Sequence, residues 1–244
     1  MDKEIMEEFK KRNIMIEADK DSFDFRCTCC GVCCRNREDI LLNAYDVMRI
    51  QKYLKIDFGT FMKQYGEMYI GSVSTLPVLR IRPRGKLRTC PFLFRNKCSI
   101  HEVKPVVCAL FPVGRFTCRE QGSEIAKTEY FVQKIECGAK DIHNDLKEWV
   151  KSCISEYDEQ CGQLWIKMMV CAENIVIAIG DGITDGTYDM IATLMYCGYE
   201  KVDDFQEEIK KRIKVLKEIA AQIKEAVKEY NEMAFPVAKE QGEK

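Results

Sequence analysis

The chain has 244 residues and is 46% hydrophobic, enough for one large domain or two small ones with a real core. Its 38 basic and 39 acidic residues leave a net charge of −1, so global charge makes no case for nucleic acid or acidic membranes. Cysteine is the outlier, with 14 against two histidines.

Taken in order, residues 2–17 read as a helix, with Ile5, Met6, Phe9, Ile14 and Ile16 on an imperfect apolar face. This N-terminus is charged and has no apolar h-region, so it does not read as a secretory signal, and the expected location is cytoplasmic. The run FRCTCCGVCC follows at 25–34. Residues 40–70 suggest two helices broken near Asp57–Gly59, with Asn43 or Asp46 near a helix start. From residue 78 the pattern alternates apolar and basic residues around Pro83-Arg84-Gly85-Lys86, which predicts a short hairpin. A second turn is expected at Asn96-Lys97, and Pro91, Pro105 and Pro112 argue against long elements here.

After about residue 120 the chain reads as mostly helical. Apolar residues recur at helical spacing over 144–171, and Phe205, Ile209, Ile213, Leu216, Ile223 and Val227 mark a closing helix. GDGITDGTYD at 180–189 lacks the register of a calcium loop and reads as an interhelical turn. The longest apolar run, NIVIAIG near Ile175, is too short to span a bilayer, and the tail after Pro236 reads as polar and frayed. The expected fold is mainly α with a small, irregular β-hairpin-containing cysteine-cluster centre, an α+β class. It divides into an N-terminal helix (1–20), a cysteine-cluster metal-binding domain (21–140) and a helical extension (141–244).

Spacing sorts the cysteines into two populations. Cys153, Cys161, Cys171 and Cys197 sit among apolar residues at helical period and read as buried small hydrophobes. Cys118 fits neither group, and Cys29 falls outside any repeat of three. Cys27, Cys30 and Cys33 are spaced C-x2-C-x2-C, with Cys34 following at once. A C-x2-C turn lets two thiolates converge on one ion while backbone amides face the sulfurs, and Gly31 relieves crowding there. Three such cysteines in series match the bacterial ferredoxin run for a [4Fe–4S] cluster, although Cys34 comes too early to be its next ligand. Cys90, Cys98 and Cys108 form a second group, and Cys137 beside Gly138 could supply an eighth thiolate. Eight thiolates suit two four-coordinate sites, or one cluster with structural spares. Disulfides are a minor reading, because vicinal Cys29-Cys30 and Cys33-Cys34 are poorly placed to pair locally.

CTCCGVCC followed by CPFLFRNKCSIHEVKPVVCALFP resembles the YkgJ-type CxxCxxCC cysteine cluster family, over roughly residues 25–140. His101 stands where that family usually has tyrosine, and Ala109 where it commonly has arginine; neither removes a cysteine. The resemblance implies a zinc- or iron-chelating domain, with Cys27, Cys30, Cys33, Cys34, Cys90, Cys98, Cys108 and Cys137 as candidate ligands. A related domain occurs in flagellin lysine N-methylases, which are thought to carry an iron–sulfur cluster and to use S-adenosylmethionine; this chain lacks their longer architecture.

The expectation is a cytoplasmic metal-binding protein holding an all-cysteine iron–sulfur or zinc site. The alternative is an iron–sulfur-dependent enzyme acting on a protein or peptide. The triple spacing tilts toward a [4Fe–4S] cluster over zinc. The expected partners are the metal or cluster and a protein, with neither nucleic acid nor membrane. Arg80, Arg82, Arg84, Lys86 and Arg88 read first as the solvated face of a hairpin, and second as cations offsetting a cluster's charge. His101 reads as a hydrogen-bonded neighbour of the site, and His143 as a surface residue near a helix start.

Overall fold

The computed structural model describes residues 16–17, 21–119, 126–133 and 135–234. The expected helix at 2–17 and the tail after Pro236 lie outside this set, except that Ile16–Glu17 is extended and forms strand β1. The described chain is helical in its larger part, with four small antiparallel sheets.

Helix α1 (Ala44–Leu54) begins at Asn43, whose side chain accepts the Asp46 amide while the Asp46 carboxylate accepts the Asn43 amide. This reciprocal cap satisfies donors that the first turn leaves without partners, as the sequence suggested. Lys55, left-handed at φ 56°, ends the helix. Asp57 accepts the Thr60 amide and starts α2 (Phe58–Gln64), so the expected break between two helices is present. The second helix stops early, however: Gly66–Ile70 is strand β4.

β4 pairs with β5 (Pro77–Ile81), which also pairs with β3 (Leu41–Leu42). Strand β5 buries Pro77, Leu79 and Ile81 and turns Val78 and Arg80 outward, the two-residue alternation of a half-covered sheet. The expected hairpin at 83–86 is therefore replaced. β5 pairs backward with strands that already bury their apolar face, and residues 84–89 close as a loop on the single bridge Arg84↔Thr89. The second turn lies one residue earlier than expected, at Arg95-Asn96 between β6 (Leu93–Phe94) and β7 (Lys97–Cys98). Both residues have positive φ, 47° and 62°, as a two-residue I′ hairpin requires.

After Pro105 comes a short helix, α3 (Val106–Leu110). The reading of mostly helix beyond residue 120 is then corrected by strands. β8 (Val113–Arg119) pairs with β9 (Ala126–Gln133), which pairs with β1; β10 (Ala139–Asp145) pairs with β2 (Ser22–Arg26). Continuous helix begins only at α4 (Leu146–Cys153), capped by Asp145, so His143 lies in a strand, exposed and 2.8 Å from Asp24.

Ser155 and Asp158 form a second reciprocal cap that opens α5 (Glu156–Ile179). GDG at 180–182 is a single 3₁₀ turn, and Thr184 already caps α6 (Asp185–Tyr196), so only half of the expected turn is a turn. The closing helix α7 runs Phe205–Ala234. Taken as the stretch Glu156–Gly182, α5 and its cap are long and apolar enough to cross a membrane by length and composition, which the run NIVIAIG alone did not reveal. Here α5 packs along α7 and buries Met168, Cys171, Ala172 and Ile175.

Two hydrophobic cores result. The larger joins β3, β5, α1, α5, α6 and α7, centred on residues such as Ile50, Leu79, Ile175, Tyr199 and Leu216. The smaller gathers Phe23, Phe25, Val106, Leu110, Val113, Val132 and Ile154, with Trp149 edge-on to Phe23 and Phe25. Helix α3 lies between them: Val106 and Leu110, four residues apart, enter the small core, while Cys108 packs against the large one.

Candidate metal centre

Three local devices set the cysteines. The first is strand pairing. Arg26 stands opposite Ala139 in the β2–β10 pair, so Cys27 leaves one strand where Cys137-Gly138 enters the other, across 110 residues of sequence. Gly138 has φ +80°, and a Cβ there would lie 2.4 Å from Phe25 Cε2 and 2.9 Å from the Arg26 carbonyl. No other residue fits that crossing.

The second device is a set of amides aimed at sulfur. The Val32 amide favours the Cys30 thiolate, the Phe92 amide that of Cys90 and the Ile100 amide that of Cys98. In each loop the amide lies two residues after the cysteine it acts on. The Gly138 amide adds a second donor to Cys30. A donated amide favours thiolate over thiol. The Val32 amide is the first cause that draws the Cys30 thiol below its ordinary value. Cys90 is lowered first by Cys34, with the Phe92 amide adding to it.

The third device is Asp46. Its carboxylate is buried, only 3% exposed; one oxygen accepts the Val106 amide at 3.0 Å, the other the Asn43 amide. It ties the start of α3, and with it Cys108, to the start of α1. Burial first of all raises its carboxyl to about 6.

Around these supports the electrostatics of the eight candidate cysteines outline two overlapping groups, with Cys33 acting on both Cys137 and Cys98. Cys137 is raised to about 11 by burial and then by Cys30, Cys33 and Cys27, the three members of the C-x2-C-x2-C run. Cys34 is raised to about 11, with Cys90, burial and Cys98 among the causes that raise it. Cys108 is raised further, by burial first, with Cys34 and Cys98 adding to it. Cys33 and Cys34 form the seam, with their sulfurs 3.8 Å apart; contact with Cys34 is the first cause of the large rise at Cys33. The groups pack against different cores: Cys90, Cys98 and Cys108 on the large one, Cys137 on the small one.

The contacts within each group are pairwise. Among the described residues, no three Cys, His, Asp or Glu side chains stand as a ready-made metal-holding set. Crowded thiols raise one another's pKa, and a bound cation would favour their thiolates by taking the protons' place. As donors, eight thiols with amides on three of them fit a thiolate-bound ion or cluster.

Sequence reasoning missed the cation at the site. Arg37, ion-paired with Asp39, reaches the Cys33 carbonyl at 3.5 Å and acts electrostatically on both Cys33 and Cys108. The basic run, read first as a solvated hairpin face and second as cations offsetting a cluster, is used elsewhere: Arg80 pairs with Glu67, while Arg82 and Arg84 donate to carbonyls of residues 62–66. His101 is exposed beside Lys104, and Cys29 is exposed with φ 54°. Cys161 and Cys171 are fully buried in the large core, as their helical spacing suggested.

No solved structure matches this chain. It is 30% identical over 105 residues to Uncharacterized protein MJ0661 of Methanocaldococcus jannaschii, an alignment covering 42% of this chain and 52% of that protein. The chain therefore spans about half the length of that curated relative. Residues 26–138 match the family model described as "CxxCxxCC: Putative zinc- or iron-chelating domain", a stretch that holds all eight candidate ligands. The match places a stretch similar to this chelating domain at residues 26–138 of the chain.

Proposed function

We propose that the protein binds metal at two all-cysteine sites. The outer site is Cys27, Cys30, Cys33 and Cys137, and it would take a [4Fe–4S] cluster. The inner site is Cys34, Cys90, Cys98 and Cys108, and it would hold zinc or iron as a structural staple. The observation that carries the reading is the repeated amide two residues after Cys30, Cys90 and Cys98, each aimed at the sulfur. A turn that presents an amide to sulfur is useful to a thiolate and of little use to a packed thiol.

The choice of cluster for the outer site rests on the run of three cysteines with a remote fourth, which is the ferredoxin arrangement of ligands. Cys27 is exposed and Cys30 and Cys137 are half-buried, so a group held there would lie near the surface, where electrons can enter or leave. The inner group joins three loops and α3, so a metal there would contribute folding energy directly.

Iron, sulfide and zinc content, with the visible spectrum, of protein purified without oxygen test the reading. Matched iron and sulfide with a broad band near ~400 nm, lost in Cys30→Ser and retained in Cys153→Ser, is the expected result. A colourless protein with zinc in both sites would remove the cluster. A protein without metal would remove the proposal.

A further inference from the structure

The face above the inner cysteine group is made by three loops. Residues 32–36 carry Cys34, residues 84–88 precede Cys90, and the hairpin turn at 94–97 precedes Cys98. They are joined into one surface. The Asn36 amide donates to the Leu87 carbonyl at 3.1 Å, and the Cys90 amide to the Cys34 carbonyl at 2.8 Å. The Arg35 guanidinium reaches Asn96 Oδ1 at 2.7 Å.

Six exposed cations stand on these loops: Arg35, Arg84, Lys86, Arg88, Arg95 and Lys97. Among the described residues, the ion pair they make is Arg88 with Glu38. The whole chain has a net charge of −1, so this concentration leaves a surplus of negative charge elsewhere. Between the cations, apolar tips point out: Val32 is 50% exposed, Phe94 66% and Leu87 72%. Isolated apolar residues need no explanation, but three on bonded loops, ringed by cations of which Arg88 is the ion-paired one among the described residues, form a patch.

The chemistry of the patch selects its occupant. Strands of nucleic acid need aromatic platforms, whereas this face offers a single ring, Phe94, with the Arg95 guanidinium over one side at 5.2 Å. A small anion would leave the apolar tips unused. Carboxylates set around an apolar side chain satisfy both features, since charge steers the approach and apolar contact holds it. We propose that this face docks an acidic segment of a partner protein, whose carboxylates meet the six cations and whose apolar residues cover Leu87 and Phe94. The surface is closed by its own hydrogen bonds, so the proposal does not depend on the metal reading.

The test uses the full chain as purified, its metal content measured on the same sample, and fluorescence anisotropy with a labelled glutamate–tyrosine copolymer at low salt. Polyglutamate and an oligodeoxythymidine of about 20 nucleotides serve as comparison probes. Expected are binding of the copolymer that weakens with salt, and a preference for it over polyglutamate. Lys86→Glu with Lys97→Glu should weaken it about tenfold, each reversed charge contributing as a surface ion pair does. Leu87→Ser with Phe94→Ser should abolish the preference over polyglutamate. All four side chains are exposed, so the fold should survive, and circular dichroism checks this. The proposal is overturned by copolymer affinity unchanged in both variants, by oligodeoxythymidine bound as tightly as copolymer, or by a dimer of this chain that charge reversal dissolves. A sample without metal that still binds the copolymer fails only the metal reading.

Discussion

Zinc affinity at the inner site should depend steeply on pH, and the steepness counts its thiols. The perturbation is Cys27→Ser with Cys30→Ser, which disables the outer group and leaves Cys34, Cys90, Cys98 and Cys108. Cys34 lies at about 11, and Cys98 and Cys108 are also raised above the ordinary thiol value, chiefly by burial. At pH 7 a thiol at or above its ordinary value is almost wholly protonated, so these three release close to a full proton each on binding. Cys90 is lowered, mainly by Cys34, and releases between none and one. The logarithm of apparent affinity should therefore climb by about three to four per pH unit between pH 6 and 8, or about 4–5.5 kcal/mol. Competition with a chromophoric chelator of known pH dependence measures the slope, and proton release into a weakly buffered indicator measures it independently. A slope of two or less would refute the reasoning, since fewer than three protonated thiols would then be taking part.

Without metal, the same raised thiols act on stability. Their folded-state values exceed the ordinary 9.0, so their contribution is complete below pH 9 and is lost as pH rises through about 11; urea midpoints of chelator-treated protein should fall across that window. Asp46 has the same sign at lower pH. Its carboxyl moves from 3.8 to about 6, a difference of about 2.2, so up to about 3 kcal/mol is lost between those values. Denaturation of Asp46→Asn should lack that slope, and a parallel slope in both proteins would contradict it. Gly138→Ala should empty the outer site while sparing the inner one, because its Cβ would displace Phe25 or the Arg26 backbone; metal analysis reads this directly. Cys161→Ser should cost about 1–3 kcal/mol for burying a hydroxyl in the large core, with metal content unchanged.

What the sequence determined by itself is the part governed by neighbours in the chain. The cap at Asn43 and Asp46 needs only three residues of separation, and the helix α7 needs only its repeating apolar face. The cysteine run at 27–34 likewise declares its chemistry through residue type and spacing. Strand β5 shows where that stops. Its alternation was legible, but its partner was not, because pairing is settled by which apolar faces remain uncovered. Strand β10 was read as helix for the same reason, since its partner β2 lies near the start of the chain, whereas β9 pairs with the strand just before it, β8. The nearness of Cys137 to the run at 27–33, and the influence of Arg37 on Cys33 and Cys108, depend on tertiary contacts such as the crossing of Arg26 against Ala139. Spacing states which atoms can bind a metal; only the tertiary structure, by bringing segments 110 residues apart to one point, decides which of them meet.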